Sequence, residues 1–356
     1  MITPSSGDIT IETIRTDASQ SDFNSLGLSI YTRYPSYGSS LVGLDRKSRS
    51  SQGWRTRSWL ARVGHIAVAR VTAIIDEKDS SEIGYFTDFE ALEFHTEAVH
   101  QLFMVVREWL SRFGIRALRG PMTPYMGDPR GVLIEGNDSP PCVGLSYAPE
   151  YYDNILSDLG FLNEMSLFSY RVDPQRVRSL KKLAKFVWLR HPKASIRSFD
   201  TNHVERELTV IQRIYNEAWS THWQFNAVTG AQIQDSFHAI SSFFDPTMAC
   251  FLQYNEKDIG IFLAIPNIHT PRDDGTSFSG ARGMLFGVSS EWQRKGLDVL
   301  LLDWALDMVG KKGFDEYEIG WVLESNTHWR RQLEKLHCGA ILGIRRFSIY
   351  QQPITD

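Results

Sequence analysis

The sequence predicts an α/β protein with mixed sheets, organised as two domains. A chain of 356 residues is longer than one hydrophobic core usually supports. Strand-type and helix-type patterns alternate through the first half, and the same alternation starts again near residue 194. We therefore predict domains over residues 1–175 and 194–356, joined by a basic helix over residues 176–193.

The composition excludes several classes of protein. Hydrophobic residues make up 42% of the chain and charged residues 22%, and the net charge is −4. These values are ordinary for a globular protein and predict no strong attraction to nucleic acid or membrane. The three cysteines are too few to indicate a disulfide framework and fit a reducing compartment. Since neither a signal-peptide pattern nor a membrane-length apolar run is found, we expect a cytoplasmic protein.

The first half follows the order strand, helix, strands, helix, strand. Strands are predicted over residues 9–14, 59–61, 66–75 and 83–87, and helices over 23–34 and 95–113. A short strand is predicted over 118–120. The stretch 119–156, which overlaps the end of this strand, is dense in glycine and proline. That density predicts a long ordered loop.

The second half contains the most informative stretch, residues 283–326. An apolar run over 284–288 predicts a buried strand, and a basic turn leads to Gly296. A helical pattern then runs from 297 to 308 and ends at Gly310 and Gly313. A second strand over 317–322 leads into Glu324 and Asn326.

This strand, turn and helix predict an anion site. The first N–H groups of a helix lack partners, and the helix dipole adds partial positive charge there. Gly296 would let the backbone approach a phosphate closely, with Arg294 and Lys295 adding charge beside it. A phosphorylated ligand is therefore expected, and a diphosphate is one candidate.

The turn resembles the Q/R-x-x-G-x-G/A loop of the GCN5-related N-acetyltransferases. The matching residues are Gln293, Arg294, Lys295, Gly296, Leu297 and Asp298. In that family the loop holds the pyrophosphate of acetyl-coenzyme A, so the resemblance implies acetyl-CoA or another acyl-CoA as co-substrate. It also implies oxyanion donors on the preceding strand, at Phe286, Gly287 and Val288, and contact of Asn326 with the pantetheine arm. Asp298 departs from the pattern, because Gly or Ala is usual there.

The first half resembles a second, degenerate copy of this fold. Between Thr87 and His95 the sequence has no glycine and three carboxylates, which would repel a pyrophosphate. The whole chain is similar to little-characterised bacterial proteins with two acetyltransferase-like domains in tandem. The similarity rests on segments 83–91, 118–122, 133–141, 215–219, 319–326 and 347–350.

Acyl transfer from a thioester to an amine needs a base, oxyanion donors and sometimes an acid for the thiolate. Glu324, with a pKa raised by burial, and His222 are the candidate bases. Glu324 is equally expected to cap the following helix, together with Asn326. The acid that the family carries as a tyrosine is replaced by Leu333, so water, Tyr350 or His337 would substitute.

Aromatic residues in the loop near His222 are the candidate substrate contacts. Trp219, Trp223 and Phe225 either line a substrate pocket or pack between the domains. No metal site is predicted, since His328, His337 and Cys338 do not have a known ligand spacing.

The sequence therefore predicts an N-acyltransferase that moves an acyl group from acyl-CoA to the amine of a small molecule or amino acid by direct attack. One alternative is a transferase that depends on a carrier protein or aminoacyl-tRNA, whose phosphates would bind the basic residues 176–193. Another is a binding protein without catalysis, suggested by Leu333 and Asp298.

Overall fold

The structure is a computed structural model that describes residues 8–32, 53–125, 127–275, 277–336 and 338–354. Strands and helices alternate through the first half of the chain. They are β1 (Ile9–Thr13), α1 (Asp17–Ile30), β2 (Trp54–Val63), β3 (Ile66–Asp76), β4 (Ile83–Ala91), α2 (Thr96–Ser111), β5 (Ala117–Gly120), β6 (Val132–Glu135), α3 (Tyr151–Asp158) and β7 (Leu162–Val172).

The second half repeats this alternation. Its elements are α4 (Lys181–Arg190), β8 (Ala194–Ser198), α5 (Val204–Ala218), α6 (Gly230–Ile240), β9 (Ala249–Tyr254), β10 (Lys257–Pro266), β11 (Gly280–Val288), α7 (Asp298–Lys312), β12 (Glu316–Leu323), α8 (Thr327–Leu336) and β13 (Ile341–Pro353). Among the described residues, no helix is long and apolar enough to cross a membrane.

The predicted α/β class is confirmed, and the differences lie mainly at element ends. Helix α1 starts six residues before the predicted position because Thr16 and Ser19 form a capping box at its N-terminus. Strand β2 is longer than the predicted 59–61, since pairing with β3 extends from Trp54 to Val63. Tertiary pairing therefore sets these ends.

The first compact unit consists of residues 1–167 and 346–356. Its strands follow the order β1-β2-β3-β4-β5-β13, and β6 also pairs with β13. The sheet is mixed, because β4 and β5 are parallel while β2, β3 and β4 are antiparallel neighbours. The apolar face of α2, including Leu102, Phe103 and Val106, is buried in this unit's core.

The second compact unit consists of residues 168–345. Its strands follow the order β7-β12-β11-β10-β9-β8, with β11 and β12 parallel. Helix α7 connects these two strands and buries Leu300, Leu301 and Ala305. Gly313, at φ 68°, ends the helix in the left-handed conformation that glycine tolerates best.

These units differ from the predicted domains 1–175 and 194–356. The division falls inside β7 and β13, so the last eleven residues return to the first unit. The predicted linker 176–193 belongs to the second unit, where α4 packs Ala184 and Val187 into the core and contacts α7. Strand patterns show that a segment is extended but do not show which neighbour it pairs with.

Candidate functional site

Strands β11 and β12 separate part-way along their length. Their parallel pairing joins Gly280 to Glu316 and ends at Gly283 and Ile319, among the described residues. Beyond that point β11 still pairs with β10 as far as Val288, and β12 continues to Leu323. A cleft therefore opens between residues 284–288 and 320–323.

The backbone of β11 presents alternate residues to this cleft. Ser289 N donates to Ile259 O at 2.7 Å, which makes this a hydrogen-bonded antiparallel pair. Because such pairs alternate, Gly287 turns its backbone groups towards β10, while Phe286 and Val288 turn theirs towards the cleft. Of the three predicted oxyanion donors, Phe286 and Val288 thus have the required backbone direction and Gly287 does not.

Gly287 has a steric role instead. A Cβ at this position would lie 2.6 Å from a ring carbon of Trp219, so the indole packs directly on the strand. Trp219 also lies 4.9 Å from Tyr215, between ring centroids, and Tyr215 lies 6.1 Å from Phe225. Two of the predicted substrate residues, Trp219 and Phe225, therefore form one aromatic group with Tyr215 beside β11.

His222 lies in the same loop. Its ring centroid is 6.5 Å from that of Trp219. Its backbone N–H donates to the backbone carbonyl of Trp219. The side chain is half-buried, and this burial lowers the pKa of the imidazole below its ordinary 6.5. The ring is therefore neutral at pH 7. Trp223 is half-buried one residue further along the loop.

Helix α8 contributes an aromatic side chain that the sequence analysis did not identify. Trp329 stacks on Phe286, with centroids 4.9 Å apart and planes 17° apart. Asn326 positions this helix, because its Oδ1 accepts from Trp329 N at 3.3 Å. Asn326 is thus an N-cap, as its residue type suggested. The sequence indicates the position of Trp329 only through its spacing, three residues after the cap residue Asn326.

The loop before α7 carries five consecutive backbone N–H groups, those of residues 294–298, without a hydrogen-bond partner among the described residues. Arg294 and Gly296 have φ values of 62° and 79°. Left-handed residues in a turn direct successive N–H groups into a concave anion site. A Cβ at Gly296 would have no atom within 4 Å, so the space beside the loop is open.

Positive charge lies next to these N–H groups. Arg294 and Lys295 are exposed and form no ion pair among the described residues. Lys295 Nζ lies 4.5 Å above the ring of Trp292, and Lys295 O contacts His191 Nε2 at 3.2 Å. The loop is therefore held at its middle while its cationic groups remain available to an anion.

The other loop residues have different roles from those the family resemblance implies. Gln293 is exposed, but its Nε2 donates to Ala218 O and Val288 O. Leu297 is fully buried in the core, so its side chain does not contact a ligand at the loop. Asp298 is exposed at the first position of α7. Gln293 thus ties the loop to α5 and β11.

Two catalytic candidates occupy unexpected environments. Glu324 is exposed, so the burial expected for it is absent. Tyr350 belongs to the first unit, where its hydroxyl donates to Asp153, and burial raises the pKa of the phenol. Leu333 is fully buried in the core of the second unit, and His337 lies outside the described residues.

The corresponding loop of the first unit, residues 92–95, differs in composition and surroundings. It lacks glycine, Phe94 takes φ 67°, and Glu93 and Glu97 flank the start of α2. Two of the three carboxylates assigned to this loop, Asp88 and Glu90, belong instead to strand β4.

Comparisons with known proteins place these features in context. No family model matches the chain. It is 25% identical over 327 residues to Protein YghO of Escherichia coli, covering 84% of this chain and 82% of that protein. It is 23% identical over 328 residues to the bacterial ceramide synthase of Caulobacter vibrioides, covering 83% of each.

Two solved structures share the fold over nearly their whole length. A tandem GNAT protein from the clavulanic acid biosynthesis pathway aligns with a TM-score of 0.59 and 9% identity, covering 98% of this chain and 99% of that one. A GCN5-related N-acetyltransferase from Sphaerobacter thermophilus aligns with a TM-score of 0.54 and 11% identity, covering 98% and 96%.

Proposed function

We propose that this chain, which has the tandem fold of the GCN5-related N-acetyltransferases, is an N-acyltransferase that uses an acyl-CoA thioester. The observation that carries the proposal is the row of five N–H groups at residues 294–298, which have no hydrogen-bond partner in the part of the chain that the structure describes. These residues follow β11, the strand that separates from β12. The second unit would therefore hold both an anion site and the cleft beside it.

The residues fit a CoA thioester. The N–H groups of 294–298 would hold the diphosphate, with added attraction from Arg294 and Lys295. The Oδ1 of Asn326 is committed to its helix, and its Nδ2 remains to donate to the pantetheine arm. The cleft-facing N–H groups of Phe286 and Val288 would stabilise the oxyanion of the thioester carbonyl.

His222 is the proposed base. A neutral imidazole accepts the proton of the attacking ammonium, and the freed amine then attacks the thioester carbon. Collapse of the tetrahedral adduct breaks the C–S bond and forms the amide, as the adduct nitrogen loses a proton to water. Because Leu333 replaces the family's tyrosine, we assign protonation of the departing thiolate to water; a free thiol has a pKa of about 8.5. Glu324, exposed in its turn, is the second candidate base.

The acceptor is proposed from the named relative. A ceramide is the amide of a fatty acid with a long-chain amino alcohol, so a ceramide synthase forms this type of bond. The alignment with that enzyme covers 83% of both chains. We therefore propose a long-chain amino alcohol as the first acceptor class to test, with a fatty acyl-CoA as donor.

Thiol release from acyl-CoA tests this function. The full chain is incubated with acyl-CoA esters of increasing length and a panel of amino alcohols, amino acids and simple amines, and amide products are identified by mass spectrometry. We expect amine-dependent thiol release with at least one long-chain donor. Absence of both acyl-CoA binding and turnover across the panel would overturn the proposal, whereas binding without turnover would favour the non-catalytic alternative.

The carrier-dependent alternative makes a different prediction for helix α4. Its outer face exposes Lys182 and Lys185 beside the apolar side chains Leu183, Phe186 and Leu189. If free acyl-CoA is the donor, replacing both lysines with glutamine leaves turnover of free acyl-CoA within about twofold of wild type, because both side chains are exposed and physiological salt screens exposed charges. No turnover with free thioester, but activity with an acylated carrier that the double variant loses, supports the alternative.

A further inference from the structure

The first unit contains a cavity of about 120 Å³ that is lined in part by charged side chains. The predicted long loop supplies most of its wall, with β6 as a short regular segment within it. The remaining wall comes from β3, β4 and the end of α1. Charged or phenolic side chains that line it include Tyr31, Arg70, Glu90, Arg130, Tyr147 and Tyr152. Ordered loops of this length in a compact domain are usually functional.

A β-bulge shapes the floor of the cavity. In the pairing of β3 with β4, Thr72 is opposite Thr87 and Arg70 is opposite Glu90, so two residues of β4 face one of β3. Asp88, in the bulge, has φ 55°, an uncommon value for a residue with a side chain. Bulges redirect side chains and concentrate near binding sites. The bulge sets the register that brings Arg70 and Glu90 face to face.

Glu90 is held rigidly in the cavity wall. Tyr152 Oη donates to its Oε2 at 2.6 Å and accepts from Ala91 N at 2.8 Å. Tyr31, whose hydroxyl donates to Tyr147 O at 3.0 Å, lies beside the carboxylate, and Arg70 Nη2 lies 3.7 Å from Oε1. Burial raises the pKa of Glu90 to about 7 although these neighbours oppose the shift. The carboxylate is therefore positioned, and its ion pair with Arg70 is longer than a direct hydrogen bond.

The arginines of the cavity are already bound to carbonyl groups. Arg70 Nη1 donates to Phe23 O at 2.6 Å and its guanidinium stacks on the Phe23 ring, and Arg130 Nη2 donates to Tyr125 O at 2.5 Å. Their orientation is thus set by the protein. Asp88 adds a second carboxylate to the lining. Glu90 and Asp88 are therefore the lining groups that attract a cation.

We propose that this cavity binds the ammonium group of a small amine, such as an amino alcohol, with Glu90 as its anionic partner. The volume accommodates about five or six non-hydrogen atoms, because a cavity of about 150 Å³ holds benzene. The proposal lies in the unit without the cofactor loop, and it holds whether or not the chain transfers acyl groups.

Binding of ethanolamine to the full chain, without acyl donor, tests this site. Ethylene glycol has the same number of heavy atoms without the charge and is the matched control ligand. Saturation-transfer NMR with titration should show ethanolamine binding at least tenfold tighter than ethylene glycol. Its affinity should fall at least fivefold from pH 8 to pH 6, as Glu90 takes up a proton. Arg70, Asp88, Tyr31, Tyr151 and Tyr152 are the other ionisable groups facing it.

Two variants make the test specific. Glu90→Gln should weaken ethanolamine binding at least tenfold, and Glu108→Gln, the same change at an exposed position of α2, should not. Tyr152→Phe keeps the carboxylate but removes its hydroxyl donor, so the pH midpoint of binding should rise; this variant decides the matter if Glu90→Gln does not fold. Equal binding of the two ligands, or no effect of pH and of Glu90→Gln, would overturn the proposal. Acyl-CoA binding, measured in parallel, reports separately on the loop at residues 294–298.

Discussion

Replacing Gly296 with aspartate separates the stability of the chain from its binding of CoA. A Cβ at this position meets no atom within 4 Å, so only the backbone, at φ 79°, opposes the change. Holding a side-chain residue there costs about 1 kcal/mol. A carboxylate at the N-terminus of α7 stabilises the folded state by about 0.3–1 kcal/mol through the helix dipole. The free energy of unfolding should therefore change by less than about 1 kcal/mol.

Ligand binding should respond far more strongly. Two unit charges about 5 Å apart repel by about 3 kcal/mol at an effective dielectric constant near 20. The loop is largely exposed, which reduces this value, so we expect about 1–3 kcal/mol against the diphosphate. That corresponds to a loss of about 5- to 150-fold in CoA affinity by isothermal titration calorimetry.

Gly313 supplies the matched control at the other end of α7. Its φ is 68° and a Cβ there would also have no atom within 4 Å. Gly313→Asp carries the same strain but places the carboxylate at the unfavourable end of the dipole, so urea denaturation should show it less stable than Gly296→Asp. Its CoA affinity should equal that of wild type. The reasoning fails if Gly296→Asp binds CoA normally, or if both variants lose affinity equally.

Three further changes test the packing and the titrating groups. Gly287→Val directs a side chain into the ring of Trp219, 2.6 Å from its Cβ position, and should lower the free energy of unfolding by about 1–3 kcal/mol in urea; unchanged stability would contradict this contact. Because the folded-state pKa of Glu90 is raised to about 7 from 4.5, the native state keeps a proton that the unfolded chain releases, so stability should fall by about 3 kcal/mol from pH 4.5 to 7. Glu90→Gln should remove that component, and an identical pH dependence in the variant would refute it. Burial lowers the pKa of His222 below its ordinary 6.5, so wild-type turnover should decline only in acid. His222→Asn should reduce turnover about 100-fold and abolish the decline in acid. An unchanged pH profile would assign the base to another residue.

The local features of the fold and of the loop were predictable from the sequence. Apolar residues at helical spacing identified α7, and a glycine after basic residues identified the turn before it. Asn326 was correctly expected at a helix N-terminus because its side chain suits that position. These signals are all contained within a few residues of one another.

Features that depend on pairing between distant segments were not predictable. The point at which β11 and β12 separate depends on strand register. The pairing of β13 also depends on register, and it places Tyr350 in the first unit instead of the second. Glu90 was interpreted as a loop carboxylate, because only the bulged pairing with β3 shows that it faces Arg70. The exposure of Glu324 and the hydrogen bonds of Gln293 to Ala218 and Val288 likewise depend on the assembled fold.

Amide hydrogen exchange tests the central claim most directly, because it observes the backbone groups that the account assigns to the ligand. Exchange of residues 294–298 is measured by NMR or mass spectrometry, with and without saturating CoA. We predict that their exchange slows when CoA is bound, while that of residues 93–96 in the first unit does not change. CoA binding that leaves residues 294–298 unprotected, or that protects residues 93–96 instead, would contradict the account.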